Sequence, residues 1–134
     1  MFLNKLKEIN KEGFLKLCIH AALSNGVFAA EEKDALNAYC REMDVDVHIP
    51  DTPETFEELL SELSKSTNQE EKNIIVLETL ALIQSDGIYD EKEKEFMKKL
   101  IDGLGVTEEI LEKFVVLLEK YTDIGRELYW AIIG

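Results

Sequence analysis

Asp86, Asp90 and Glu93 are spaced like the later oxygen ligands of a calcium-binding loop. With Asp86 at position 5, Asp90 falls at 9 and Glu93 at 12, Gly87 takes the turn position 6 and Tyr89 falls at 8. Carboxylates at this spacing suit a hard divalent cation. The first half of such a loop is absent, because Leu82 and Gln84 stand at positions 1 and 3. Any cation held this way is therefore expected to bind weakly. The same residues also have a purely local use. Gly87 suits the left-handed conformation that ends a helix, and Asp90 and Glu93 suit the start of the next one as a capping box.

A second copy of the pattern lies earlier in the chain, at Asn25-Gly26-Val27-Phe28, offset by 61 residues (86 − 25) from Asp86-Gly87-Ile88-Tyr89. Glu32 corresponds to Glu93, whereas Asn25 replaces Asp86 and Ala29 replaces Asp90. The first copy is thus the weaker candidate for metal, with Asn25 and Glu32 as its remaining oxygen donors. Apolar positions correspond as well: Leu36 with Met97, Tyr39 with Leu100, Cys40 with Ile101, Met43 with Leu104 and Val45 with Val106. Each copy reads as helix, tight turn, helix.

Other chemistry has little footing. Cys18, His20, Cys40 and His48 are the soft metal ligands, and they lack the close pairing that zinc sites use. Both cysteines sit on apolar helical faces and read as reduced core residues of a cytoplasmic protein. There is no nucleophile elbow and no glycine-rich phosphate loop, so an enzyme is not expected. The net charge of −13 repels phosphate backbones and anionic lipid, which argues against nucleic acid and membrane surfaces. It would attract a cation or a basic protein surface. Tyr129 and Trp130 are candidate contacts for a protein partner, since such aromatics are enriched in interface hot spots. Their alternative use is to pack the last helix onto the core.

These residues need helices to position them. The chain of 134 residues, 46% hydrophobic and 32% charged, fits one all-α domain over 1–134. It has no apolar run long enough to span a membrane, and Met1 to Lys7 lacks the apolar stretch of a signal peptide. Seven to eight helices are expected, built on a diverged pseudo-twofold helix-turn-helix repeat with copies at about 12–45 and 69–106. A linker at about 45–53 is marked by the two prolines, Pro50 and Pro53. A short amphipathic helix carries Phe2, Leu6 and Ile9. The helix from about Glu12 to Ser24 and its counterpart from Asn68 are apolar around most of their circumference and should form the buried centre. Thr52 is expected to cap the fourth helix, with Phe56, Leu59, Leu60 and Leu63 as its stripe. Asn68 with Glu71 and Asp90 with Glu93 read as capping boxes. Gly103 and Gly105 should end the sixth helix, Thr107 should cap the seventh, and a short eighth should begin near Asp123.

A buried helix ending in Ser85-Asp86-Gly87, then an apolar residue and Asp90-Glu91-Lys92-Glu93 opening an amphipathic helix, resembles the TerB-like domains. These are named for bacterial tellurite-resistance proteins and also occur beside J-domains in a membrane-anchored co-chaperone. The resemblance covers about residues 12–121 and implies an all-helical, pseudo-twofold fold. It further implies a non-enzymatic binding or scaffold module in a stress response, whose acidic residues Asp86, Asp90 and Glu93 meet metal or partners. The alternative function is a weak divalent-cation binder or sensor. A weak homodimer is also expected, through the fourth helix or the apolar C-terminal tail, because exposed apolar patches mark interfaces.

Overall fold

Two stretches of this sequence are apolar nearly all round, and both become central helices. The computed structural model describes residues 1–24, 30–84 and 89–134, with the side chains of residues 30 and 31 excepted. Within these residues every regular element is helical. A 3₁₀ turn at Leu3–Lys5 precedes α1 (Glu8–Leu23), α2 (Ala30–Glu42), α3 (Phe56–Ser66), α4 (Gln69–Ile83), α5 (Glu91–Leu104) and α6 (Glu108–Ile133). α1 buries Phe14, Leu15, Leu17 and Cys18, and α4 buries Ile75, Val76 and Leu80, all at 1% exposure or less. α1 and α4 pack on each other, α3 lies between α1 and α5, and α6 packs on α4 and α5. Met97, Leu100 and Ile101 of α5 and Leu36 and Cys40 of α2 complete the core.

Against the seven to eight helices expected, the described residues form six α-helices and one 3₁₀ turn. The amphipathic helix through Phe2, Leu6 and Ile9 does not form. Phe2 and Ile9 are exposed, while Leu3 and Leu6 are buried, so a 3₁₀ turn puts a different face inward. The last two expected helices are one continuous α6. Gly125 alone does not interrupt it, since a mid-helix glycine costs only about 1 kcal/mol.

The helix starts follow capping chemistry. Asn68 with Glu71, and Asp90 with Glu93, each form a reciprocal capping box, and Thr107 caps α6. α3 is capped by Thr55 rather than Thr52: the Thr55 hydroxyl accepts the Glu58 N–H at 3.1 Å. Glu58 stands at the third helical position from Thr55, where a capping-box acid belongs, whereas Thr55 itself stands there from Thr52. Gly105 ends α5 in the left-handed region, at φ 74, as expected. Gly103 does not end it, because it lies inside α5 against Leu60. A Cβ on Gly103 would stand 2.7 Å from Leu60 Cδ1 and 3.2 Å from Leu60 Cβ, so the glycine permits the close approach of α3 and α5. On the opposite side of α3, a Cβ on Gly13 of α1 would meet Leu63 Cδ2 at 2.7 Å.

α2 ends with Asp44 in the left-handed region, at φ 57. Val45 N–H returns to the Cys40 carbonyl at 3.0 Å, and at the end of α5 Val106 N–H returns to the Ile101 carbonyl at 2.9 Å.

Three carboxylates, the buried Glu71 and Glu78 and the exposed Glu42, tie the N-terminal segment to the rest. Glu71, 2% exposed, accepts from Lys7 N–H at 3.1 Å, Asn10 Nδ2 at 2.8 Å and Asn68 N–H at 3.2 Å. Lys7 and Asn68 are the N-cap residues of α1 and α4, so one carboxylate serves the starts of both central helices. Burial pushes the Glu71 pKa up, and these hydrogen bonds outweigh it, holding the group below the usual carboxylate value. Glu78 accepts Phe2 N–H at 3.2 Å, and Glu42 accepts Leu3 N–H at 2.9 Å.

Candidate functional site

Of the three acids spaced like calcium ligands, Asp90 and Glu93 lie within the described residues. Asp90 precedes α5 in extended conformation. Its Oδ1 accepts Glu93 N–H at 2.8 Å, and Glu93 Oε1 accepts Asp90 N–H at 3.0 Å. The two are thus brought together as a helix cap, with one oxygen of each committed to a backbone amide. Glu93 is 2% exposed and Asp90 is open to solvent. Asp86 and Gly87 lie outside the described residues, as do Asn25 and Gly26 of the first copy. Glu32 stands half-buried in the first turn of α2, and its Oε2 meets no hydrogen-bond partner among the described residues. Among the described residues, no group of three or more His, Cys, Asp or Glu side chains is arranged to hold a metal ion.

Beside this helix start lies a cleft of about 430 Å³. Gln84 and Tyr89 form one wall, and Val115, Leu118, Glu119, Thr122, Asp123 and Arg126 of α6 form the other. Tyr89 is partly buried. Burial, then the negative charge of Glu93, raises its phenol pKa, and the Lys94 ammonium stands 5.7 Å from its ring. Arg126 lies 3.7 Å from Asp123. Sequence reasoning passes over Glu119 and Arg126 and takes Asp123 only as the start of a short last helix. The available signal was the i, i+4 spacing of Glu119 and Asp123, which puts two carboxylates on one side of a helix.

Cys18, His20, Cys40 and His48 do not form a metal-holding group among the described residues. Cys18 and Cys40 are free thiols at 1% and 0% exposure, and burial raises the Cys18 pKa well above its ordinary value. They are unreactive core residues, as their apolar surroundings predict. His20 leans on Phe56 at 5.8 Å between ring centroids. His48 Nε2 pairs with Glu12 at 2.7 Å.

Tyr129 and Trp130 do not pack onto the core. They are 59% and 65% exposed and meet each other edge-on at 5.9 Å. Among the described residues, α6 touches the core through Ile110, Leu111, Phe114, Val115 and Leu118, and every residue from Glu119 onward is exposed. Leu117, Tyr121, Ile124 and Leu128 are open along the same helix, at 45%, 64%, 55% and 60%. Their 4-3-4 spacing was present in the sequence. It was masked there by the expectation of a helix break near Asp123. The stripe on α3 is closed off instead: Leu59, Leu60 and Leu63 are 1%, 6% and 3% exposed, between α1 and α5. Those three leucines are therefore taken up inside the fold.

No described helix is long and apolar enough to cross a membrane. The fold matches that of a solved structure, a tellurite resistance protein from Nostoc punctiforme. The two share 22% sequence identity at a TM-score of 0.68, over 92% of this chain and 80% of that one. The likeness is one of fold. No protein-family model and no curated protein matches the sequence.

Proposed function

We propose that this chain is a non-enzymatic binding or scaffold module of a tellurite-resistance-like stress response in the cytoplasm, which meets a protein partner through Tyr129 and Trp130. The observation that carries the reading is the exposure of these two aromatics on a helix that has left the core, at 59% and 65%. Large aromatics of this kind are enriched at interface hot spots. The fold shared with a tellurite resistance protein supports the stress-response part. The net charge of −13 favours a partner with a basic surface over nucleic acid. The test is growth on tellurite of the native host lacking the gene, complemented with wild type or with Trp130→Ala. Sensitivity rescued by wild type and not by a stably folded Trp130→Ala supports the reading. Equal growth of deleted and wild-type cells rejects the stress role, and full rescue by Trp130→Ala rejects the contact.

The repeat belongs to this reading. α4 begins 61 residues after α1 (69 − 8), and α5 begins 61 residues after α2 (91 − 30). The left-handed residues Asp44 and Gly105 are also 61 apart, and so are both ends of the Val45–Cys40 and Val106–Ile101 hydrogen bonds. A pseudo-twofold arrangement brings equivalent residues together only near its axis, and Asn10 and Glu71, separated by 61, are bonded.

Divalent-cation binding is the second reading, favoured by the unpartnered Glu32 oxygen and the solvent-facing Asp90. Calorimetric titration with Ca²⁺, Mg²⁺ and Zn²⁺ checks it. Binding tighter than about 10⁻⁴ M, the tight end of extracellular calcium modules, and lost in Asp86→Ala, would promote it over the scaffold.

A further inference from the structure

We infer that the exposed side of α6 is a self-association seam that pairs two copies of this chain through an antiparallel two-helix contact. Phe114, Leu117, Tyr121, Ile124, Leu128 and Ala131 follow one another at steps of 3, 4, 3, 4 and 3 residues. That is the a/d spacing of a coiled-coil seam. Phe114, at the first position of the stripe, packs partly on the core beside Ile110, Leu111, Val115 and Leu118, and from Leu117 onward the stripe is rotated off that face and open along the helix. Trp130 lies on the far side of the helix from the seam, so this contact is independent of the one proposed above.

Flanking residues select the orientation. Lys120 and Glu127 occupy successive g positions, immediately before Tyr121 and Leu128. Antiparallel helices pair g with g, so with Tyr121 set against Ile124 of the second copy, Lys120 meets Glu127, and symmetry makes the bond twice. Parallel helices would pair g with e, setting Lys120 against Gly125 and Glu127 against Ile132, with no charge partner. Parallel pairing would also place two bodies of charge −13 side by side, whereas antiparallel pairing puts them at opposite ends. Gly125 has a use here that it lacks in the single chain. A Cβ added to it would meet nothing within 4 Å, so the fold of one copy does not require a glycine. In the antiparallel register Gly125 falls opposite Leu118, where α6 is pressed against its own core. The absence of a side chain leaves clearance for the second helix.

The register overlaps residues 112–133, about 33 Å of helix at 1.5 Å per residue. With the exposures of Leu117, Tyr121, Ile124, Leu128 and Ile132 at 45% to 81%, burial is on the order of 1,200 Å² in total, the low end of specific interfaces. The dimer is accordingly weak, and it tightens with salt as repulsion between the acidic bodies is screened.

Sedimentation equilibrium of the full chain at low and high salt is the first measurement. A monomer–dimer equilibrium that tightens with salt is expected, with Ile124→Glu and Leu128→Glu monomeric and Trp130→Ala unchanged. Lys120→Glu should weaken the dimer about tenfold, as two pairs of roughly 0.5–1 kcal/mol each are lost. Adding Glu127→Lys to that variant should restore it. Orientation is read by electron-spin distance measurement on Glu112→Cys, whose introduced thiol is exposed while Cys18 and Cys40 are buried. Antiparallel helices place the two labels about 30 Å apart along the axis, and parallel helices bring them side by side. A monomer at every concentration and salt, a dimer untouched by the seam substitutions, or a short distance between the labels would each overturn the inference. Loss of the dimer in Trp130→Ala alone would move the contact to the aromatic pair.

Discussion

Asn10 and Glu71 are separated by 61 residues in sequence and joined by a 2.8 Å hydrogen bond from Asn10 Nδ2 to Glu71 Oε2. Both are buried, at 0% and 2% exposure. Glu71 is ionised in that setting because three donors, two of them backbone amides at helix starts, converge on it.

Replacing Glu71 with Gln keeps the shape but loses the charge-assisted bonds, which are worth about 1.5–3 kcal/mol each when the acceptor is ionised. Glu71→Gln should therefore lower unfolding stability by roughly 2–4 kcal/mol in urea titrations. The pH dependence follows from the sign of the shift. The folded pKa lies below the ordinary value of 4.5, so the contribution is complete above that value and disappears as pH falls through the lowered one. The acid limb of the stability curve should be shallower in Glu71→Gln than in wild type.

Gly13 and Gly103 should respond unequally to alanine. At Gly103 the new methyl would crowd Leu60 Cβ and Cγ at 3.2 and 3.3 Å as well as its tip, so the side chain cannot simply rotate away. At Gly13 only the Leu63 Cδ2 tip is closer than 3.4 Å. Overpacking costs about 1–3 kcal/mol, and a helical glycine replaced by alanine returns about 1. Gly103→Ala should be destabilising by about 1 kcal/mol or more and Gly13→Ala near neutral, as read by thermal unfolding.

The two left-handed helix ends make a matched pair. Asp44 occupies at φ 57 the conformation that Gly105 occupies at φ 74. A side chain there costs about 1 kcal/mol, somewhat less for aspartate. Asp44→Gly should raise the unfolding midpoint and Gly105→Ala should lower it, each by about 1 kcal/mol of stability.

His48 gives a second pH signature, at the opposite end of the range. Its pKa is raised, first by the bond to the Asp46 carbonyl at 2.6 Å and then by Glu12. A raised cation contributes its stability fully below the ordinary value of 6.5 and loses it as pH rises through the folded one. His48 and Glu12 are 39% and 48% exposed, so solvent and salt keep the effect small. Nuclear magnetic resonance titration should place the His48 midpoint above 6.5 in wild type and lower in Glu12→Gln.

The all-helical class, the central position of α1 and α4 and both capping boxes were legible because each rests on local spacing. The apolar circumference of Phe14 to Leu23 and the Asn68-x-x-Glu71 and Asp90-x-x-Glu93 patterns need no tertiary information. Thr55 as the cap of α3 was also present locally and was obscured by the pull of Pro53. The continuity of α6 was not legible, because Thr122-Asp123 imitates a helix start and Gly125 a break. Nor was the role of Glu71 at the start of α1, since nothing near Lys7 announces a carboxylate that lies 64 residues away. The loop acids gave a spacing whose cation chemistry the capping geometry of Asp90 and Glu93 neither requires nor uses.

That distance between Lys7 and Glu71 has a meaning during synthesis. The amide that opens α1 receives its carboxylate only after 64 more residues have been added, which at about 5–20 residues per second takes roughly 3–13 s. Through that interval α1 carries Phe14, Leu15, Leu17 and Ile19 without the α4 surface that covers them in the finished protein. The growing chain therefore carries the apolar stretch of α1 for seconds before the sequence that covers it has been made.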